Sequence, residues 1–128
     1  MAKEIKNLGE AELEIMQVIW KAEAPVTSNF ILKELQGLRA WRLSTLMTSL
    51  SRLSEKGFVC CDRSTGSNLY EAAIAENEYK TKESKHFLEK LYNNSIQNMI
   101  ATLYSNHAIK GSDMEDLRKF LDDLEDEQ

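Results

Sequence analysis

Apolar residues recur at helical spacing through most of the chain, with polar residues between them. Leu13, Met16, Ile19 and Trp20 make one such stripe, and Glu10, Glu12 and Glu14 gather at its start, where the helix dipole favours acid. The pattern predicts a helix from Glu10 to about Glu23, stopped by Ala24-Pro25, with Val26 as a brief extended piece. Thr27 or Ser28 is suited to cap a second helix that reaches Gln36, with Phe30, Ile31 and Leu35 inward and Gly37 as the stop. A short connection, residues 38–43, contains Trp41. Ser44 then reads as the cap of a third helix ending near Lys56. Its inward stripe is Leu43, Leu46, Leu50 and Leu53, spaced i, i+3, i+7, i+10. Gly57 follows as a left-handed stop.

The period then changes. Phe58-Val59-Cys60-Cys61-Asp62-Arg63 reads as a strand, Ser64-Thr65-Gly66-Ser67-Asn68 as a turn, and Leu69-Tyr70-Glu71-Ala72 as the returning strand. Three helices followed by a hairpin within residues 1–74 is the plan of a winged helix-turn-helix domain. In that plan the third helix enters the DNA major groove and the hairpin lies against the backbone. The expected fold class is mostly α with a small β-hairpin wing.

Residues 75–128 have a different character. A charged helix is predicted from Glu76 to Tyr92, with Tyr79, Phe87, Leu88, Leu91 and Tyr92 on its apolar side, and Asn93-Asn94-Ser95 interrupts it. Ile96, Met99, Ile100 and Leu103 mark a short amphipathic helix ending near Asn106. Gly111-Ser112 reads as another break, and Asp113 as the cap of a last helix. There Met114, Leu117, Leu121 and Leu124 are spaced 3, 4, 3, the seam of a coiled coil, with Phe120 beside them. So short a segment does not easily build its own core. Three amphipathic helices with uncovered stripes therefore suggest a second copy of the chain. The candidate dimerisation residues are Phe87, Leu91, Ile96, Met99, Ile100, Leu103, Met114, Leu117, Leu121 and Leu124. Packing of the last seam inside one protomer is the alternative.

The outward face of the third helix changes the picture further. Thr45, Thr48, Ser49 and Arg52 occupy i, i+3, i+4 and i+7. Solvated faces usually carry Glu, Lys and Gln, because short hydroxyl residues are poorer helix formers. A face of two threonines, a serine and an arginine suits close approach to a phosphate backbone and base edges. It could otherwise be a plain solvated face.

Charge at first points the other way. The 128 residues carry a net charge of -5, and acidic proteins seldom bind nucleic acid. The acid is unevenly placed, however. Residues 1–74 hold nine Lys and Arg against nine Asp and Glu, so the whole excess lies in residues 75–128. Between residues 39 and 63, Arg39, Arg42, Arg52, Lys56 and Arg63 face only Glu55 and Asp62. A local basic surface on a neutral domain is compatible with DNA.

Other chemistries find little support. Cys60 and Cys61 are the only cysteines and read as reduced packing residues rather than a disulfide or metal clip. His86 and His107 have no further ligands near in sequence, so neither a metal nor a cofactor is expected. Trp20 and Trp41 read as packing residues. No Gly-rich phosphate loop, nucleophile elbow or zinc-protease motif is present, and the acidic tail 122–127 is a solvated run, so the chain is not read as an enzyme. No stretch has the roughly 20 apolar residues of a membrane helix, and no apolar run follows the basic start, so a cytoplasmic protein is expected. There is no internal repeat.

The ordered landmarks resemble the penicillinase-repressor family, the BlaI/MecI/CopY group of bacterial transcriptional repressors. Leu8 to Trp20 is similar to the family's opening helix, and Pro25-Val26-Thr27 to the segment after it. Most specific are Trp41, Thr45, Thr48, Leu50, Arg52, Leu53 and Lys56-Gly57-Phe58. Tyr79-Lys80, Ser84-Lys85 and Phe87 match the opening of the second domain, and Asp116-Leu117-Arg118 and Leu121 its end. The resemblance implies a homodimeric repressor of dyad operators in double-stranded DNA. It implies that Thr45 and Thr48 lie on the recognition helix and that Arg52 binds backbone.

Departures from the family pattern matter as well. The β-lactam repressors have lysine where this chain has Ser44 and arginine where it has Met47. Arginine to guanine is the commonest specific base contact, and Met47 cannot make it. A different operator or weaker phosphate attraction is therefore expected, with Ser44 offering its hydroxyl and backbone N–H to a phosphate and Arg42 and Arg63 compensating. The copper branch carries Cys-x-Cys motifs in its tail, and none occurs here. The resemblance also implies a signalling protease as a partner; the bond it cuts in the family is Asn-Phe, and Thr102-Leu103 stands in its place here, a departure that puts this cleavage in question and leaves the inducing signal open. The candidate DNA-binding residues are thus Arg42, Ser44, Thr45, Met47, Thr48, Ser49, Arg52 and Arg63. The rival function is a winged-helix adaptor that docks a protein through Leu43, Met47 and the wing.

Overall fold

The computed structural model describes residues 5–37 and 40–127. The element order is α1 (Glu10–Ala22), β1 (Val26–Thr27), α2 (Ser28–Leu35), α3 (Leu43–Glu55), β2 (Val59–Asp62), β3 (Leu69–Ala72), α4 (Glu76–Tyr92), α5 (Ile96–Ser105) and α6 (Gly111–Asp126). The chain divides into two compact units, Met1–Glu83 and Ser84–Gln128.

The first unit is built on the predicted stripes. Ile15, Met16 and Ile19 of α1, Ile31 and Leu35 of α2, and Leu46, Leu50 and Leu53 of α3 are buried together with Trp41, Phe58, Val59 and Tyr70. Tyr79, in the first turns of α4, joins this core. Its ring lies 5.6 Å from Phe58 in an edge-on pair and 5.9 Å from Trp20, within the range where aromatic pairs attract. The Trp20 indole N–H donates to the Ile74 carbonyl at 2.9 Å.

The sheet is antiparallel, with order β1-β3-β2. The hairpin has Cys61 opposite Tyr70 and Val59 opposite Ala72. Val26 pairs with Tyr70, so the brief extended piece is the third strand.

The ends of the elements explain where they stop. Thr27 caps α2, its Oγ1 accepting from Phe30 N at 3.1 Å. At the end of α3, Gly57 adopts φ 83°. Phe58 N then bonds Leu53 O at 2.9 Å and Gly57 N bonds Ser54 O at 3.1 Å, the paired bonds of a Schellman stop. In the second unit Asn93 and Asn94 both have positive φ, and Ser95 Oγ caps α5 by accepting from Asn98 N.

Several expected details differ. Ser44 does not cap α3. Arg42 is the extended residue at the cap position, without a side-chain cap, and Leu43 begins the helix. Leu43 is 47% exposed; at the first helical position it overhangs the end of the stripe that the next three leucines bury. Phe30 is 42% exposed, lying over an open groove beside Val18 and Ala22 of α1. Asp113 is not the cap of α6 either. The helix starts at Gly111, and the Asp113 carboxylate reaches back to accept from Lys110 N at 2.8 Å, so the acid is the reciprocal partner one turn in. Gly111-Ser112 is its first turn, not a break.

Candidate nucleic-acid interface

Helix α3 has two faces with opposite chemistry. Leu46, Leu50 and Leu53 are essentially inaccessible, because three leucines at these spacings fall on one side and meet α1, α2 and β2. That packing turns Ser44, Thr45, Thr48 and Arg52 outward, all exposed, with Ser49 half-buried. Met47 is half-buried and packs against the core. It therefore presents only part of its side chain, and no positive charge stands in the middle of the face.

One hydroxyl on that face is already engaged. Thr48 Oγ1 donates to Ser44 O at 3.0 Å, four residues back, a bond β-hydroxyl residues commonly make within helices.

Two further arginines flank the helix. Arg42 is exposed at its N-terminal cap, and Arg63 is exposed at the start of the wing tip. The turn beside Arg63 is organised by Asp62, whose Oδ1 accepts from Ser64 Oγ at 2.6 Å and Ser64 N at 2.9 Å. The side-chain and then the backbone hydrogen bond of Ser64 hold the Asp62 carboxyl below its usual range. Arg39, part of the basic run, lies outside the described residues.

Lys56 has a different role from its neighbours. Its Nζ lies 2.7 Å from Glu12 Oε1 and 3.3 Å from Asn7 O. Burial raises the pKa of Glu12, but hydrogen bonds from Lys56 and Gly9 N and the charges of Lys56 and Arg52 outweigh it, and the net effect is downward. Asn7 Oδ1 accepts from Lys82 at 2.9 Å, and the Tyr79 hydroxyl accepts from Leu8 N at 3.2 Å. Lys56 thus fastens the end of α3 to the segment before α1. Nothing local in the sequence links Lys56 to Glu12, which is 44 positions away.

In the second unit the candidate dimerisation residues are open. Phe87, Leu91, Ile96, Leu121 and Leu124 are exposed, and Met99, Ile100, Leu103, Met114 and Leu117 are partly so. Tyr104 and Phe120 are also exposed, at 51% and 56%, and were not among the candidates. Tyr104 stands four residues after Ile100, so helical spacing alone extends that stripe to it.

Among the described residues no cluster of three or more His, Cys, Asp or Glu could hold a metal ion. No described helix is long and apolar enough to cross a membrane.

The family profile described as "Penicillinase repressor" matches residues 8–123. The chain belongs to the penicillinase repressor family. It is 31% identical over 121 residues to the penicillinase repressor of Bacillus licheniformis, covering 94% of each chain. It is 28% identical over 117 residues to the methicillin resistance regulatory protein MecI of Mammaliicoccus sciuri, covering 90% of this chain and 93% of that one. The solution structure of the Bacillus licheniformis BlaI monomeric form in complex with the blaP half-operator matches with TM-score 0.52 and 35% identity, over 61% of this chain and 94% of that one. The DNA-binding domain of the repressor BlaI gives the same values. The winged-helix expectation for the fold is therefore met within the penicillinase repressor family.

Proposed function

We propose that the protein is a homodimeric transcriptional repressor that binds dyad operators in double-stranded DNA through α3 and the wing. The observation behind this reading is the outward face of α3, set by the three buried leucines beneath it. It is supported by the membership of the penicillinase repressor family and by the likeness to BlaI, which was solved on its half-operator. Thr45, Thr48 and Ser49 stand near base edges. Arg42, Arg52 and Arg63 neutralise phosphates, and the α3 N-terminus with Ser44 offers N–H groups to another.

The second unit provides the dimer. Its exposed apolar side chains are covered by the same surface of another copy, which matches a two-fold operator. Loss of the lysine and arginine that the β-lactam repressors carry at the positions of Ser44 and Met47 makes binding weaker and directs it to a different operator sequence.

Arg52→Ala tests the assignment. Affinity is expected to fall for specific and non-specific duplexes alike, and the slope of log affinity against log salt to flatten by about one unit. A loss confined to the specific operator would contradict the phosphate role. Affinity that hardly responds to salt, with tight binding to a protein instead, would favour an adaptor.

A further inference from the structure

We propose that the groove between α1 and α2 binds a small hydrophobic ammonium ion, an apolar body that carries one positive charge. The site lies in the first unit, and the operator reading neither uses nor requires it.

The groove exists because α2 buries only part of its apolar surface. Ile31 and Leu35 are fully buried in the core. Phe30, one position before Ile31, is rotated about a quarter-turn around the helix axis and remains largely exposed, outside the core cluster. On α1, Val18 and Ala22 stand one turn apart and are half-buried against the core. These three side chains form the apolar lining of a cavity of about 370 Å³, within the size range of small-ligand sites.

Charge decides what fits. The chain passes from α1 to α2 through residues 23–27, so Ala22 and Phe30 lie toward that connection. Glu14 and Glu34, two turns back along α1 and one turn on along α2, lie away from it and also line the cavity. Carboxylates from both helices thus border one end of an apolar floor. Lys21, exposed toward the connection, has a stem long enough to keep its own ammonium in water. An anionic ligand would be repelled by the two carboxylates. A neutral apolar one would strip water from them and give nothing in return. An ammonium directed at Glu14 and Glu34, with its apolar body over Phe30, Val18 and Ala22, meets both demands.

The test titrates the full-length protein with three ligands that share one apolar body: 3-phenylpropylammonium, 3-phenylpropanol and 3-phenylpropionate. Binding is followed residue by residue through backbone amide NMR shifts. Millimolar affinity is expected for ligands this small, with the ammonium tightest, the alcohol about threefold weaker and the carboxylate about tenfold weaker. The responding amides should be those around Val18, Ala22 and Phe30. Phe30→Ala should weaken all three ligands at least about threefold. Glu34→Gln should narrow the gap between ammonium and alcohol and leave the alcohol unchanged. Both substituted side chains are exposed, so neither change removes a core residue. No response at these amides in the millimolar range, equal binding of the three ligands, or a preference untouched by Glu34→Gln overturns the proposal. Each of these failures leaves the operator reading standing, since Phe30 and Glu34 lie outside the outward face of α3.

Discussion

The two units use the same kind of sequence for different ends. Both consist of amphipathic helices with apolar residues three and four apart. In Met1–Glu83 those stripes close on one another, and every buried hydrophobic side chain among the described residues lies there, from Ile15 to Tyr79. In Ser84–Gln128 no described side chain reaches that degree of burial, and Phe87, Leu91, Ile96, Phe120 and Leu121 are each at least 47% exposed. An apolar stripe is therefore not by itself a sign of a core. Three helices and a sheet enclose a stripe; three short helices in one copy leave it open, and a second copy can cover it.

The contrast breaks most sharply at Phe58. This side chain is fully buried against Tyr79, and Phe58→Ala should cost about 3–5 kcal/mol of unfolding free energy, read by urea denaturation. Leu121 is 50% exposed. Leu117→Asp with Leu121→Asp should leave the unfolding of the first unit within about 0.5 kcal/mol of wild type and weaken self-association at least about tenfold. Sedimentation across a concentration series checks this, and an undisturbed dimer would remove α6 from the interface.

A smaller effect sharpens the picture of the first unit. Glu12→Gln removes the ion pair with Lys56 and should cost roughly 1 kcal/mol at neutral pH. Because the folded carboxyl titrates below its ordinary value of 4.5, its contribution is complete above that value and is lost as pH falls through the lower, folded one. Denaturation curves of wild type and Glu12→Gln should converge as the pH drops below 4.5. A constant gap would show that the Glu12 charge is not its source.

Periodicity made the helices and the outward face of α3 legible, because a stripe such as Leu46, Leu50 and Leu53 is a local signal and leaves its opposite face defined. Helix ends were less legible. Ser44 and Asp113 have the side chains of caps, yet one sits in the first turn and the other is the reciprocal acid, since cap and first-turn positions favour overlapping residue types. Leu43 and Phe30 satisfied the apolar spacing but stand where neighbouring elements do not cover them. The Lys56–Glu12 pair and the fastening of Asn7 to Lys82 join positions far apart in sequence, and only the tertiary fold brings them together. Strand β1, two residues long, carries too little pattern to be recognised as part of the sheet before the hairpin is seen beside it.

Whether the outward face of α3 reads DNA is tested most directly by selection of genomic fragments with the purified full-length protein, at low and at near-physiological salt. The face of Thr45, Thr48, Ser49 and Arg52 predicts retention of a few promoter fragments that share a two-fold sequence, with broader retention at low salt, where phosphate attraction is stronger. A folded dimer that retains no fragment at either salt would contradict DNA recognition by this helix and leave its outward face, with Leu43 at its edge, as a surface for a protein partner.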